Sequence, residues 1–162
     1  MVIITNFASK PEDIAFRKAI ILTARVHPGE SNASIIMQGL LDFLVSDDEA
    51  AKYLRNNFVF KVVPMLNPDG VIVGNYRCSL SGHDLNRQWM TPNSKLHPEI
   101  YAVKSMIKKT LESRDIILFC DIHGHSRMKN IFMYGCQNTK SDRLKERIFP
   151  YLYSKRSDHF SM

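Results

Sequence analysis

The apolar residues fall into short runs separated by polar, turn-forming segments. Val2–Thr5 predicts a short strand, and Ser9–Asp13, with Pro11 inside it, reads as a polar break. Ala19–Val26 (AIILTARV) predicts a buried strand from its unbroken apolar, β-branched character. It ends at His27-Pro28-Gly29-Glu30, where Pro and Gly force a turn. Ser31 or Asn32 can then cap a helix that carries Ile35, Ile36, Leu40, Leu41 and Leu44 on one face. Asp47–Asn56 predicts a second, shorter helix. Phe58–Met65 (FVFKVVPM) predicts another strand, closed by the turn signal Asn67-Pro68-Asp69-Gly70.

Val71 to Pro92 shows no clear period, and its Tyr76, Leu80, Leu85 and Trp89 mark it as an ordered, functional loop. Pro98 suits the first turn of a helix running to about Ser113. Asp115–Ile122 (DIILFCDI) is the next strand and runs straight into His123-Gly124-His125. Asn130–Tyr134 reads as a further short strand, and Ser141–Pro150 as a basic helix. Strands alternating with helices imply an α/β sheet with right-handed crossovers. Such sheets place their sites beyond the carboxyl ends of strands, which is where both His27 and His123 fall.

Composition narrows the class. The chain has 162 residues, 44% of them apolar, which suits one domain with a real core and excludes disorder throughout. No apolar run approaches the roughly 20 residues of a membrane helix, because Arg25 and His27 interrupt the longest candidate. Met1–Asn6 is too short for a signal peptide. Cys78, Cys120 and Cys136 are few, widely spaced and without CxxC, which argues against a disulfide framework or a cysteine zinc site and fits a reducing compartment. The formal charge of +6 permits an acidic partner without identifying it. There is no GxSxG elbow and no phosphate-cradling GxxxxGK[ST]. The basic Lys140–Arg147 reads as a solvated helix face, and too few aromatics interleave with it to stack nucleic-acid bases.

His27 and Glu30 form an HxxE pair on a tight turn, and three residues of separation can aim both side chains at one ion. His123 adds a third ligand, making a His₂Glu set that leaves one coordination position open, as a hydrolytic zinc site requires. HxxE alone is a weak signal; the equivalent strand-end position of His123 strengthens it. Asp121, two residues before His123, reads either as an acceptor that orients an imidazole or as an ordinary strand-end carboxylate. Arg77 and the Asn86-Arg87 pair suit carboxylate or oxyanion binding, and equally suit surface salt bridges. His125, Ser126 and Arg127 follow directly; His125 reads either as a rival ligand or as a polar contact in the cleft, with His123 preferred as the ligand because it comes first off the strand.

Three segments, TARVHPGESNAS, VPMLNPDGVIVGNYRCSLSGHDLNRQW and CDIHGHSRMKNIFMYGC, carry a resemblance nearly continuous from Ala19 to Cys136. Together they resemble the zinc metallocarboxypeptidase superfamily, and more narrowly its cytosolic carboxypeptidase branch. The resemblance implies a mixed, largely parallel sheet flanked by helices, with residues 1–162 forming part of one catalytic domain. It implies one zinc per chain on His27, Glu30 and His123, with Asn86 and Arg87 gripping the substrate's terminal carboxylate. Arg77 is similar in place to the arginine that polarises the scissile carbonyl. The branch removes glutamates, including polyglutamate side chains on tubulin tails. The resemblance therefore implies acidic protein tails as partners, no nucleic acid or membrane, and a cytoplasmic place at the cytoskeleton or cilium.

One departure qualifies it. The family's general-base glutamate lies on a late strand, whereas the one glutamate after His123 is Glu146, in a basic segment unlike that strand. Tyr151 and Tyr153 do not match the tyrosine that closes over substrate. The expectation is the N-terminal half of a catalytic domain, with an exposed sheet edge and at most the junction of a preceding β-rich domain. Two rivals follow: a non-catalytic zinc- or acidic-tail-binding module or inactive fragment, and a deacylase of small amino-acid conjugates. The NPDG and Asn-Arg segments favour peptides over the latter.

Overall fold

The computed structural model describes residues 1–137 and 144–162. It contains two compact units, Met1–Gly124 and His125–Met162.

The first unit is built on a four-stranded sheet of β1 (Val2–Ile4), β2 (Lys18–Ala24), β3 (Phe58–Val63) and β4 (Ile116–Ile122) in the order β1-β3-β2-β4. β2 runs parallel to both β3 and β4, while β1 is antiparallel to β3, so the sheet is mixed and largely parallel as expected. Its helices are α1 (Pro11–Phe16), α2 (Ser31–Val45), α3 (Glu49–Asn57), α4 (Pro68–Val73) and α5 (Pro98–Leu111). β2 is central and covered on both faces, which is why its sequence is an apolar run without alternation. One face sends Ile20, Leu22 and Ala24 with Phe60 and Val62 against Ala33, Met37 and Leu44 of α2. A second cluster joins Val26, Leu66 and Leu85 to Ile100 and Val103 of α5. β1 and β4 are the outer strands, and Ile117 and Phe119 of β4 are exposed.

Several expectations need correction. The polar break around Pro11 is the six-residue helix α1, with Pro11 in its first turn and Glu12 and Asp13 beside the positive helix end. β2 stops at Ala24 because Arg25 takes a left-handed conformation at φ 58°. Glu30, not Ser31 or Asn32, is the N-cap of α2, and its carboxylate caps no amide of that helix because it is engaged elsewhere. The inward face of α2 follows Ala33, Met37, Leu40 and Leu44, at steps of four, three and four, while Ile35 and Ile36 are 73% and 51% exposed. The Asn67–Gly70 turn continues into α4: Asn67 Oδ1 accepts from the Gly70 amide at 3.0 Å, Pro68 occupies the first turn, and Gly74 ends the helix at φ 86°.

In the second unit, Asn130–Tyr134 is not a strand; Ile131 alone makes an isolated parallel bridge to Phe160. Of Ser141–Pro150, residues 141–143 lie outside the described residues. The remainder is a 3₁₀ turn at Lys145–Arg147, which holds Glu146, and the start of α6 (Ile148–Ser154). Tyr153 packs its ring on Phe160, at 5.0 Å between centroids.

Candidate metal centre

The centre lies where β2 and β4 end side by side. Arg25 leaves β2 and braces the following turn, donating from Nε to the Pro28 carbonyl at 2.7 Å and from Nη1 to Ser34 Oγ at 2.7 Å. Gly29 donates its amide to the Tyr76 carbonyl at 2.8 Å, and buried Asn67 donates from Nδ2 to the Val26 carbonyl at 3.2 Å. The His27–Glu30 turn is therefore held by the strand exit below it and by the 67–76 segment beside it. β4 delivers His123 directly from its last residue, Ile122.

His27, Glu30 and His123 come together, with one ligand atom of each lying within 4.8 Å of the others. Glu30 Oε1 is 2.8 Å from His27 Nδ1, and Oε2 is 3.0 Å from His123 Nδ1. The Gly124 amide donates to Oε2 at 2.7 Å. The far nitrogen of each imidazole meets a different carboxylate: His27 Nε2 lies 3.1 Å from Asp84 Oδ1, and His123 Nε2 lies 2.8 Å from Asp121 Oδ2. Both rings thus turn Nδ1 toward Glu30 and anchor Nε2, the arrangement by which metal-binding histidines are oriented. Two imidazoles and a carboxylate within this span are a donor set that suits zinc.

The surroundings favour positive charge. The hydrogen bond to Asp121 raises the His123 pKa above the usual imidazole value; burial opposes it, and the negative charges of Asp121 and Glu30 reinforce it. Burial pushes the Asp84 carboxyl up, yet hydrogen bonds from His27, the Asn86 amide and Arg77 outweigh burial and hold it below the usual carboxylate range.

The anion-binding candidates stand on the adjoining loop. Arg77 Nε donates to Asp84 Oδ2 at 2.8 Å, so one carboxylate ties Arg77 to His27. Asn86 and Arg87 form a 3₁₀ turn that begins at Leu85 and is capped by Asp84, which accepts from the Asn86 amide at 2.9 Å. Asn86 Oδ1 accepts from Trp89 Nε1 at 2.9 Å, which fixes the amide plane. Arg87 is exposed and donates to the Asn86 carbonyl at 3.3 Å. The surface-pair alternative holds in part, since Arg77 does have an acidic partner. His125, in the second unit, is exposed, and its Nδ1 accepts from the amides of Arg127 and Met128. It does not join the one three-ligand cluster among the described residues.

Asp84 and Thr23 were not singled out from the sequence. Asp84 carried a local signal, since an Asp two residues before an amide it can accept from is an Asx turn. Thr23 carried none, because its place is set by pairing between distant strands.

Residues 1–159 match the zinc carboxypeptidase family. The chain is 56% identical over 160 residues to cytosolic carboxypeptidase 2 of Mus musculus, covering 98% of this chain and 19% of that protein. It is 56% identical over 144 residues to cytosolic carboxypeptidase 3 of Mus musculus, covering 86% of this chain and 14% of that one. Among solved structures, a putative carboxypeptidase A from Shewanella denitrificans superposes with a TM-score of 0.84 at 35% identity, over 93% of this chain and 40% of that one. The chain thus spans about a fifth or less of the curated relatives it matches.

Proposed function

Because this chain belongs to the zinc carboxypeptidase family, we propose that it supplies the metal-holding and carboxylate-gripping part of a zinc carboxypeptidase. The proposed substrates are acidic protein tails, such as those of tubulin, from which C-terminal or side-chain-linked glutamates are removed. The observation that carries this reading is the convergence of His27, Glu30 and His123 at the ends of two adjacent parallel strands. These three residues would hold one zinc ion, which when bound supplies a Lewis acid for the scissile carbonyl and acidifies water beside it.

The chain's own residues bind and orient. Arg77 donates Nε to Asp84 and keeps its two Nη nitrogens as donors for the negative charge that develops on the carbonyl oxygen. Asn86 and Arg87 present an amide and a guanidinium fork to the substrate's terminal carboxylate. Asp84 holds His27 and Arg77 together, so that the cation-binding and anion-binding groups keep a constant spacing. The proton acceptor for the hydrolytic water is assigned to none of these residues. The net charge of +6 favours encounter with acidic tails. The names of the relatives support a cytoplasmic protein, and tubulin as substrate would place it at the cytoskeleton or cilium. No helix among the described residues is long and apolar enough to cross a membrane.

The test is amino-acid analysis of glutamate released by a zinc-loaded, full-length carboxypeptidase that contains these residues, from a peptide ending in a glutamate run. Release that Arg87→Ala abolishes is the expected result. Saturable peptide binding without release would overturn the catalytic reading in favour of a tail-binding module. Release from small acylated amino acids, with the peptide untouched, would overturn the substrate class.

A further inference from the structure

β2 is apolar from Ala19 to Ala24 apart from one residue, Thr23, which is completely buried. A threonine among Ile20, Ile21, Leu22 and Ala24 needs a partner for its hydroxyl. That partner is Asp121, its register neighbour on the parallel strand β4: Thr23 Oγ1 donates to Asp121 Oδ1 at 2.6 Å. The other oxygen of the same carboxylate accepts from His123 Nε2 at 2.8 Å. Asp121 and His123 are two residues apart and share one side of the strand line. Each carboxylate oxygen is thus engaged by a different donor, one on β2 and one just beyond the end of β4, so the carboxylate cannot rotate without breaking a bond.

Resting on the metal-binding reading above, we propose that Thr23 and Asp121 are a positioning pair that sets the tautomer and orientation of His123. A carboxylate with one oxygen taken by a hydroxyl offers the imidazole a pure acceptor, so with zinc bound the ring proton would reside on Nε2 and leave Nδ1, on the Glu30 side, as the ligand atom. The two histidines are anchored differently. His27 relies on Asp84, a loop residue that also serves Arg77, whereas the anchor of His123 is built wholly from paired sheet strands. Its position is therefore independent of substrate contacts on the loop. A threonine serving only its own burial would be replaceable by the isosteric valine without consequence at the metal.

The experiment has two parts, both independent of turnover. First, zinc affinity is measured by chelator competition. Asp121→Asn and Thr23→Val are expected to weaken it by about 10–100-fold, with Thr23→Ser, which keeps the hydroxyl, close to wild type. Second, ¹⁵N spectra of the zinc-loaded wild-type protein are expected to show His123 protonated at Nε2 and bound through Nδ1. This measurement holds even if a variant does not fold. Unchanged affinity in Asp121→Asn and Thr23→Val, or metal on Nε2 of His123, overturns the pair and leaves the metal site standing. A folded wild-type protein that takes up no zinc overturns the metal reading itself, and the pair with it.

Discussion

Two glycine-to-alanine substitutions should move stability in opposite directions. Gly29 sits between the two ligands of the HxxE turn, and an added Cβ would lie 2.5 Å from Tyr76 Cδ2 and 2.8 Å from the Tyr76 carbonyl oxygen. A relaxed carbon–carbon contact is roughly 3.5–4.0 Å. The Tyr76 ring is exposed and can swing away. Its carbonyl cannot, because it accepts the Gly29 amide at 2.8 Å. The turn must therefore move off residue 76 and weaken that bond. Overpacking of this kind costs ~1–3 kcal/mol, including ~0.5–1.5 kcal/mol for the hydrogen bond. Alanine recovers ~0.4–1 kcal/mol through the unfolded chain, since the φ of Gly29 is not positive, leaving a net loss of ~1–2 kcal/mol. Gly39 lies inside α2 with nothing within 4 Å of its added Cβ. There the same substitution should stabilise by ~0.5–1 kcal/mol. Urea-unfolding midpoints measure both, and zinc competition should show weakened binding in Gly29→Ala alone, since Glu30 moves with the turn. If Gly29→Ala proves as stable as Gly39→Ala, the close approach of the turn to residue 76 is refuted.

Asp84→Asn should weaken zinc binding by about 10–100-fold in a competition titration, because one carboxylate orients His27 and pairs with Arg77. Affinity equal to wild type would show that His27 needs no such anchor. Lys61 tests the pH dependence. Burial, followed by the positive charges of Arg114 and Lys109, lowers its pKa, so the folded protein holds fewer protons than the unfolded chain between that lowered value and the ordinary lysine value. Wild-type stability should therefore rise with pH across that window. Lys61→Met should be at least as stable at neutral pH despite losing the bond to Thr110, and its advantage should shrink as pH rises. A difference from wild type that stays flat across alkaline pH would sink this reading.

Elements whose signals are local are legible in the chain without its fold. Pro28-Gly29 signals a turn; the short, β-branched apolar run of β2 favours a buried strand; Pro98 opens α5; and His27 and His123 follow strands, which an α/β pattern of parallel strands brings to one sheet edge. Tertiary structure decided what depends on partners distant along the chain. The buried face of α2 was set by the sheet it covers, which draws in Ala33 and Met37 and leaves Ile35 and Ile36 outside. Asp84 reaches His27 across 57 residues, and Thr23 meets Asp121 across 98. A hydrogen bond of that range leaves no period or spacing in the sequence, because the register of paired strands and the path of the intervening loop determine which side chains meet.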